Sequence, residues 1–500
     1  MAVLMSELCS QGADLIWKQC NEELFAQGLE YLERAAEDGD ADALFFLGHC
    51  YSWGDAAVGF NDKKAYECYL AGAEAGSARC VLGALRAGQY DERLQAQARY
   101  SLAESLQIVM EAAAGGEPYA AYQLADGFYY DDFYDILPKS ERAAGNCFKW
   151  YEKAGEGGIV NAMERAGKCC FSGTYTRKDV SAGLYWAEKA AAAGSAWGLL
   201  KMGLFTLEQQ DYEAAFAYLY AAARQGDEEA PFYLGEMCLN GAGTEQDTEQ
   251  AIAFFEEAAR HDNRESFVRL GQIYSEGEYE NYERACYWYS RAYAAGDHQV
   301  GLALGRLYCM PGEYQDFQKA ERLLAEYAQG EEDGQACCLL AHLYHEGLIP
   351  GSGAEEVAAY FEQGAAMGND ECIQILGHLY FEGEELPQNY ARAYELLNSS
   401  WEKGTLRELC QLAYLCRNGY GCEKDEKRAA ELYRKAAETE KNADAYYELG
   451  SLYEKGTQIQ RDLEQAVDYY RQAALLGNDS ARRRLTHFKR NIFGKWKYVN

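Results

Sequence analysis

Residues 449–477 read LGSLYEKGTQIQRDLEQAVDYYRQAALLG, and this stretch holds two phrases. The first, LGSLYEKG, returns as LGHCYSWG (47–54), LGQIYSEG (270–277), LAHLYHEG (340–347) and LGHLYFEG (376–383). The second, EQAVDYYRQAALLG (464–477), returns as KKAYECYLAGAEAG (63–76), EQAIAFFEEAARHD (249–262) and ERACYWYSRAYAAG (283–296). Small residues recur three and four apart with aromatics between them, the spacing of one helix face. A recurring pair of helical phrases is the signature of a repeat architecture.

The opening apolar residue falls at Leu47, Leu82, Leu124, Ala166, Met202, Leu234, Leu270, Leu304, Leu340, Leu376, Leu412 and Leu449, 32 to 42 residues apart. Gly or Ala follows in all twelve units. Four residues after the anchor stands Tyr in six units and Cys in three; seven after it stands Gly in eight. The reading is one helical hairpin per unit. In helix A the small residue lets helix axes approach, while the anchor and the Tyr, one turn apart, fill the space beside it. The closing Gly suits a left-handed C-terminal position that penalises a Cβ. One hairpin cannot bury both apolar faces, but stacked hairpins share a continuous core.

The pattern predicts an all-α protein: an α/α superhelical solenoid of about twelve hairpins. Residues 1–40 form an N-terminal capping hairpin, 41–480 a continuous solenoid, and 481–500 a basic capping helix. Two long gaps are read as insertions, one at AGQYDERLQAQA (87–98), the other at DGFYYDDFYD (126–135) with Pro138. No Ser- or Pro-rich linker interrupts the array. Most of the 41 tyrosines are expected to face the core.

Ala-x-x-x-Leu-Gly-x-x-Tyr-x-x-Gly, followed by a helix ending Ala-Ala-x-x-Gly at a period of about 36, resembles the Sel-one-like repeat (SLR) family, relatives of tetratricopeptide repeats. The resemblance spans about 35–480. It is weakest at 82–124 and 202–234, where Arg86 and Thr206 replace the Tyr and Gln89 and Gln209 the Gly. It implies a non-catalytic scaffold or adaptor whose helices A line a concave, partner-binding face.

On that implication, the helix-A positions nominated to meet a protein or peptide partner are Tyr129, Lys168, Phe171, Arg306, His342, His345, His378, Phe381, Tyr414 and Arg417. His49 and Asp126 occupy equivalent places. Tyr and Arg are favoured anchors in desolvated grooves. His342 and His378 share one register in neighbouring units, and His345 lies a turn beyond His342. Cys338 stands a turn before His342, and His and Cys at that spacing can share a metal; a satisfied polar patch is the commoner outcome, so no metal and no cofactor is assigned. Cys170, Cys238 and Cys416 replace the core Tyr and read as buried apolar residues. No SxxK, GxSxG or HExxH stands in its required context, so no catalytic residue is nominated.

The net charge is −33. The segment RRRLTHFKRNIFGKWK (482–497) carries seven basic residues and no acidic one, leaving −40 for the remainder. That charge repels nucleic acid and anionic membrane and complements a basic partner. An acidic decoy that occupies a basic protein is therefore the alternative function. No basic n-region precedes an apolar core at the start, and no apolar run spans a bilayer, so a cytoplasmic location is expected, with non-classical export as an effector left open. Leu485 falls where a further anchor is due, and Leu485, Phe488, Ile492, Phe493 and Trp496 predict one apolar helix face in the tail. Such a basic amphipathic helix can cap the array, or reach a membrane or another protein.

Overall fold

A computed structural model describes residues 5–54, 58–137, 145–330, 334–349, 353–384, 386–402, 405–491 and 494–499. Among these are 28 α-helices and a single two-stranded hairpin. A first pair, Glu7–Trp17 and Glu22–Glu37, precedes twelve A/B hairpins from Ala41–Trp53 with Asp62–Ala75 to Ala443–Lys455 with Leu463–Leu475. The 87–98 insertion contributes a short extra helix, Glu92–Gln97, between Ala78–Arg86 and Leu102–Ala114. The other insertion separates Pro118–Tyr129 from Gly145–Glu156; Pro138 lies outside the described residues. Packing divides the chain into two compact units, Met1–Ser266 and Phe267–Asn500. The division falls within the helix Arg264–Ser275, where the sequence shows no linker.

Each feature of the repeat has a physical cause. Eleven of the twelve anchors are buried, with Met202 half-buried. Where that small residue is Gly, it mostly faces an aromatic or leucine of a helix B. A Cβ on Gly235 would lie 2.6 Å from the Phe255 ring, and one on Gly271 2.6 Å from Tyr289. All eight closing glycines adopt positive φ, from 62° at Gly456 to 87° at Gly277. Cys170, Cys238 and Cys416 are buried at 2, 0 and 2% exposure.

The hairpin corner rests on a feature that the repeat phrases do not include. The residue before most helices B is Asp or Asn, and its side chain caps the helix, as Asp247 accepts from Gln250 N–H at 2.9 Å. Its own N–H donates back to the helix-A carbonyl four residues past the anchor: Asn61 to Tyr51, Asp247 to Cys238, Asn281 to Tyr274 and Asp462 to Tyr453, at 2.7–3.0 Å. Because the backbone makes this bond, Tyr and Cys can alternate there.

The tyrosines depart from expectation. Seven are buried (Tyr69, Tyr119, Tyr151, Tyr274, Tyr289, Tyr433, Tyr470), and most others are half-buried. A buried phenol needs a hydrogen-bond partner, and many rings lie in the wall with the hydroxyl toward a surface carboxylate, as Tyr293 donates to Glu326 at 2.6 Å.

The tail also requires a correction. It is helical only over Asp479–Leu485; Phe488–Arg490 then pairs antiparallel with Trp496–Tyr498. Gly494, at φ 76°, turns the chain. The predicted helical face therefore does not form from its described members, and Ile492 and Phe493 lie outside the described residues. Alternation competes with helical spacing here, and it places Phe488 opposite Tyr498 with rings 5.2 Å apart. The hairpin still packs inward: Phe488 is 5% exposed and meets Tyr470 at 6.1 Å. Glu454, 5% exposed, accepts hydrogen bonds from Tyr470 at 2.6 Å and Tyr498 at 2.5 Å, and pairs with Arg484. Among the described residues no helix is long and apolar enough to cross a membrane.

Candidate functional site

Two irregularities of the first unit meet in space. Arg86 stands where the repeat calls for Tyr. Its guanidinium lies 3.4 Å from the centre of the Tyr130 ring, 5.3 Å from that of Trp53, and its Nη1 is 3.7 Å from Asp132. Tyr130 and Asp132 belong to the enlarged loop after Pro118–Tyr129. That loop is pinned by Phe133, 3% exposed, which packs over Gly127, and by the Asp132 N–H donating to the Gly127 carbonyl at 2.9 Å. Arg86 Nε is buried without a hydrogen-bond partner in the fold, as is Gln123 Oε1. Both atoms retain bonding capacity for a ligand or water.

The N-terminal helix pair covers this region. Trp17 packs 5.0 Å from Phe46 and 6.4 Å from Tyr119, and Asp14 accepts from the Tyr119 hydroxyl at 2.5 Å. The Cys20 N–H donates to the Ala193 carbonyl at 3.2 Å, so the pair reaches from the first repeat to the fourth. Beneath it lies a cavity of about 1010 Å³ lined by Trp17, His49, Tyr122, Asp126, Arg165 and Lys168 among others. His49, Asp126 and Lys168 each stand two residues past an anchor, so this register lines one cavity.

Burial sets the ionisation. The Asp126 carboxyl is raised by desolvation, against the Tyr151 hydrogen bond at 2.7 Å and the charges of Arg165 and Arg86. Asp132 is raised to about 6, chiefly by burial, with Arg86 opposing. His49, enclosed by Trp17, Phe45 and Trp53, is lowered to about 4 by burial and then by Arg86. Near neutral pH the pocket holds a neutral imidazole beside an Arg86–Asp132 pair.

Of the nominated residues, Tyr129, Lys168 and Phe171 line a neighbouring hollow of about 670 Å³ with Arg165, Tyr175 and Trp197. Arg165 stacks on Tyr129 at 5.0 Å and bonds the Tyr130 hydroxyl at 3.1 Å, joining the hollow to the Arg86 pocket. The second unit differs, because its nominated polar residues bond along the array. Arg306 donates to Gln335 at 2.5 Å, His342 meets Glu371 at 3.2 Å, His378 meets Gln411 at 2.7 Å, and Arg417 pairs with Glu448 and donates to Ser451 at 3.0 Å. His345 is exposed. Phe381 and Tyr414 lie 5.7 Å apart, and Tyr414 is 40% exposed. Trp17, Trp53, Arg86, Tyr130, Asp132 and Arg165 were not nominated from sequence. The signal available for Arg86 and the 130–133 loop was their departure from the repeat.

The sequence model of the Sel1 repeat family matches residues 25–40, 41–77, 118–159, 160–195, 198–227, 229–263, 268–297, 334–369, 371–404, 409–438 and 443–478. The chain belongs to the Sel1 repeat family, helical-repeat proteins that generally serve as protein-interaction scaffolds and are typically non-catalytic. The unmatched 78–117 contains Arg86 and the extra helix. A protective antigen of uropathogenic Escherichia coli, described as displaying an SLR fold, aligns over 94% of this chain and 98% of its own at 22% identity and TM-score 0.58, showing a shared fold. A Sel1 repeat protein from Oxalobacter formigenes aligns over 65% of this chain and 93% of its own at 23% identity and TM-score 0.44. No curated protein matches the chain.

Proposed function

We propose that the protein is a non-catalytic interaction scaffold that takes a segment of a protein or peptide partner into the cavity beneath its N-terminal helix pair. The observation that carries this reading is the convergence of the Arg86 pocket, with its unpaired Nε, on a cavity of about 1010 Å³ walled by aromatic side chains together with Arg165, Lys168, Asp126 and Glu164. Binding sites combine apolar walls with a few placed polar groups, and Trp, Tyr and Arg are the residue types that dominate interface energetics. Tyr129, Phe171 and Lys168 in the adjoining hollow extend the same surface.

Affinity purification from the native cell tests this, comparing the parent with Trp53→Ala/Arg165→Ala and with Tyr129→Ala/Phe171→Ala. Loss of a specific protein from both variants, with helicity retained, is the expected result. Equal recovery from all three removes the first unit's cavity as the site. The charge of −33 supports a second reading, an acidic decoy for a basic protein. In that case the variants bind as the parent does, and salt alone releases the partner.

A further inference from the structure

In the second unit, Cys338 and His342 stand one turn apart on the helix Gln335–His345, and Glu371 opens the next helix A, Asp370–Glu382. The Cys338 sulfur, a His342 ring nitrogen and a Glu371 carboxylate oxygen all lie within 4.8 Å of one another. Cys338 is 3% exposed, His342 is half-buried, and Glu371 opens to solvent. The His342 ring is held edge-on to Phe361 at 5.6 Å, and the sulfur of the wholly buried Cys372 is directed to the Gly334 carbonyl at 4.0 Å. His345 and His378 are not members of this group.

We propose that Cys338, His342 and Glu371 form a zinc site that staples two consecutive repeats. A thiolate, an imidazole and a carboxylate are the three ligand types that zinc accepts together, and three protein ligands leave its fourth position to water. The sulfur disfavours magnesium and calcium, which take oxygen ligands. Glu371 as an exposed ligand gives the ion an entry path. On binding, the Cys338 S–H gives its proton to solvent and a zinc–sulfur bond forms, so affinity rises with pH.

The test is titration of the chelator-stripped, reduced full-length protein with cobalt(II), followed by zinc. The expected result is one equivalent of cobalt with tetrahedral ligand-field bands and a thiolate charge-transfer band, displaced by zinc, and a melting temperature raised by zinc. Cys338→Ser and His342→Ala abolish the spectrum, and Glu371→Gln weakens binding at least about tenfold, the lower bound for losing even an outer partner. Cys170→Ser, at a buried thiol in the other unit, leaves it unchanged. His342→Ala stands at a half-buried position, so unchanged circular dichroism confirms that its loss is not unfolding. Absence of a charge-transfer band in the parent, or cobalt binding unchanged in both Cys338→Ser and His342→Ala, overturns the proposal.

Discussion

At the scale of single residues, the least replaceable positions are those where helices touch. Gly235 sits against the Phe255 ring, so Gly235→Val forces ring or backbone to move and should cost about 1–3 kcal/mol, read from the urea midpoint. His49 makes a second prediction. Its folded pKa of about 4 lies below its ordinary value of 6.5, so its contribution is complete above pH 6.5 and is lost as pH falls toward 4. Asp132 runs the other way: raised from 3.8 to about 6, it contributes fully below pH 4 and loses that contribution as pH rises through 6. Replacing His49 with Phe should therefore flatten the stability loss between pH 6.5 and 4. Replacing Asp132 with Asn should steepen it. Stability profiles of the two variants that coincide with the parent's would contradict the assigned ionisation.

At the scale of elements, the corner bond and the tail carry the predictions. Asp247→Ala removes a helix cap and should cost about 1 kcal/mol. Glu454 joins the terminal hairpin to the last repeat. Burial alone would raise its carboxyl, but hydrogen bonds from Arg484, Tyr470 and Tyr498 hold it below the ordinary carboxylate value. Its stabilisation is present above the unfolded value and is lost as pH falls through the folded one. Glu454→Ala should cost roughly 2 kcal/mol, less than for a pair buried on both sides, because Arg484 is 41% exposed and partly screened. Removing residues 486–500 strips Tyr498 and Phe488 as well, and should lower the melting temperature by about 2–4 °C per kcal/mol lost. Unchanged melting would mean that the hairpin is not a cap. The basic charge of the tail is partly taken up by the repeat it covers: Arg484 by Glu454 and Arg490 by Glu464 at 3.2 Å.

At the scale of the molecule, charge and groove make opposite demands on a partner. Raising ionic strength from about 0.1 to 1 M shortens the screening length from about 10 to 3 Å. A partner seated among Trp53, Tyr129 and Phe171 should stay bound through that change to within about tenfold in Kd, whereas a partner held by the acidic surface should dissociate. A salt titration of the recovered complex decides between them.

The sequence by itself determined the repeat. Anchor, small neighbour and closing glycine are local requirements of a helical hairpin, so they recur at a legible period and predict which residues are buried. It did not determine the tail, because Phe488 and Trp496 satisfy both a helical and an alternating spacing; the choice went to the arrangement that sets Tyr498 on Glu454. Nor did it determine the candidate sites. Arg86 and the 130–133 loop were each visible as departures from the pattern, but nothing local says that they meet. Glu371 was one exposed acid among eighty acidic residues until the next helix brought it to Cys338 and His342. Periodicity reports what every hairpin must do to pack, while a site is made of residues from different hairpins, and their distances are set only when the hairpins stack.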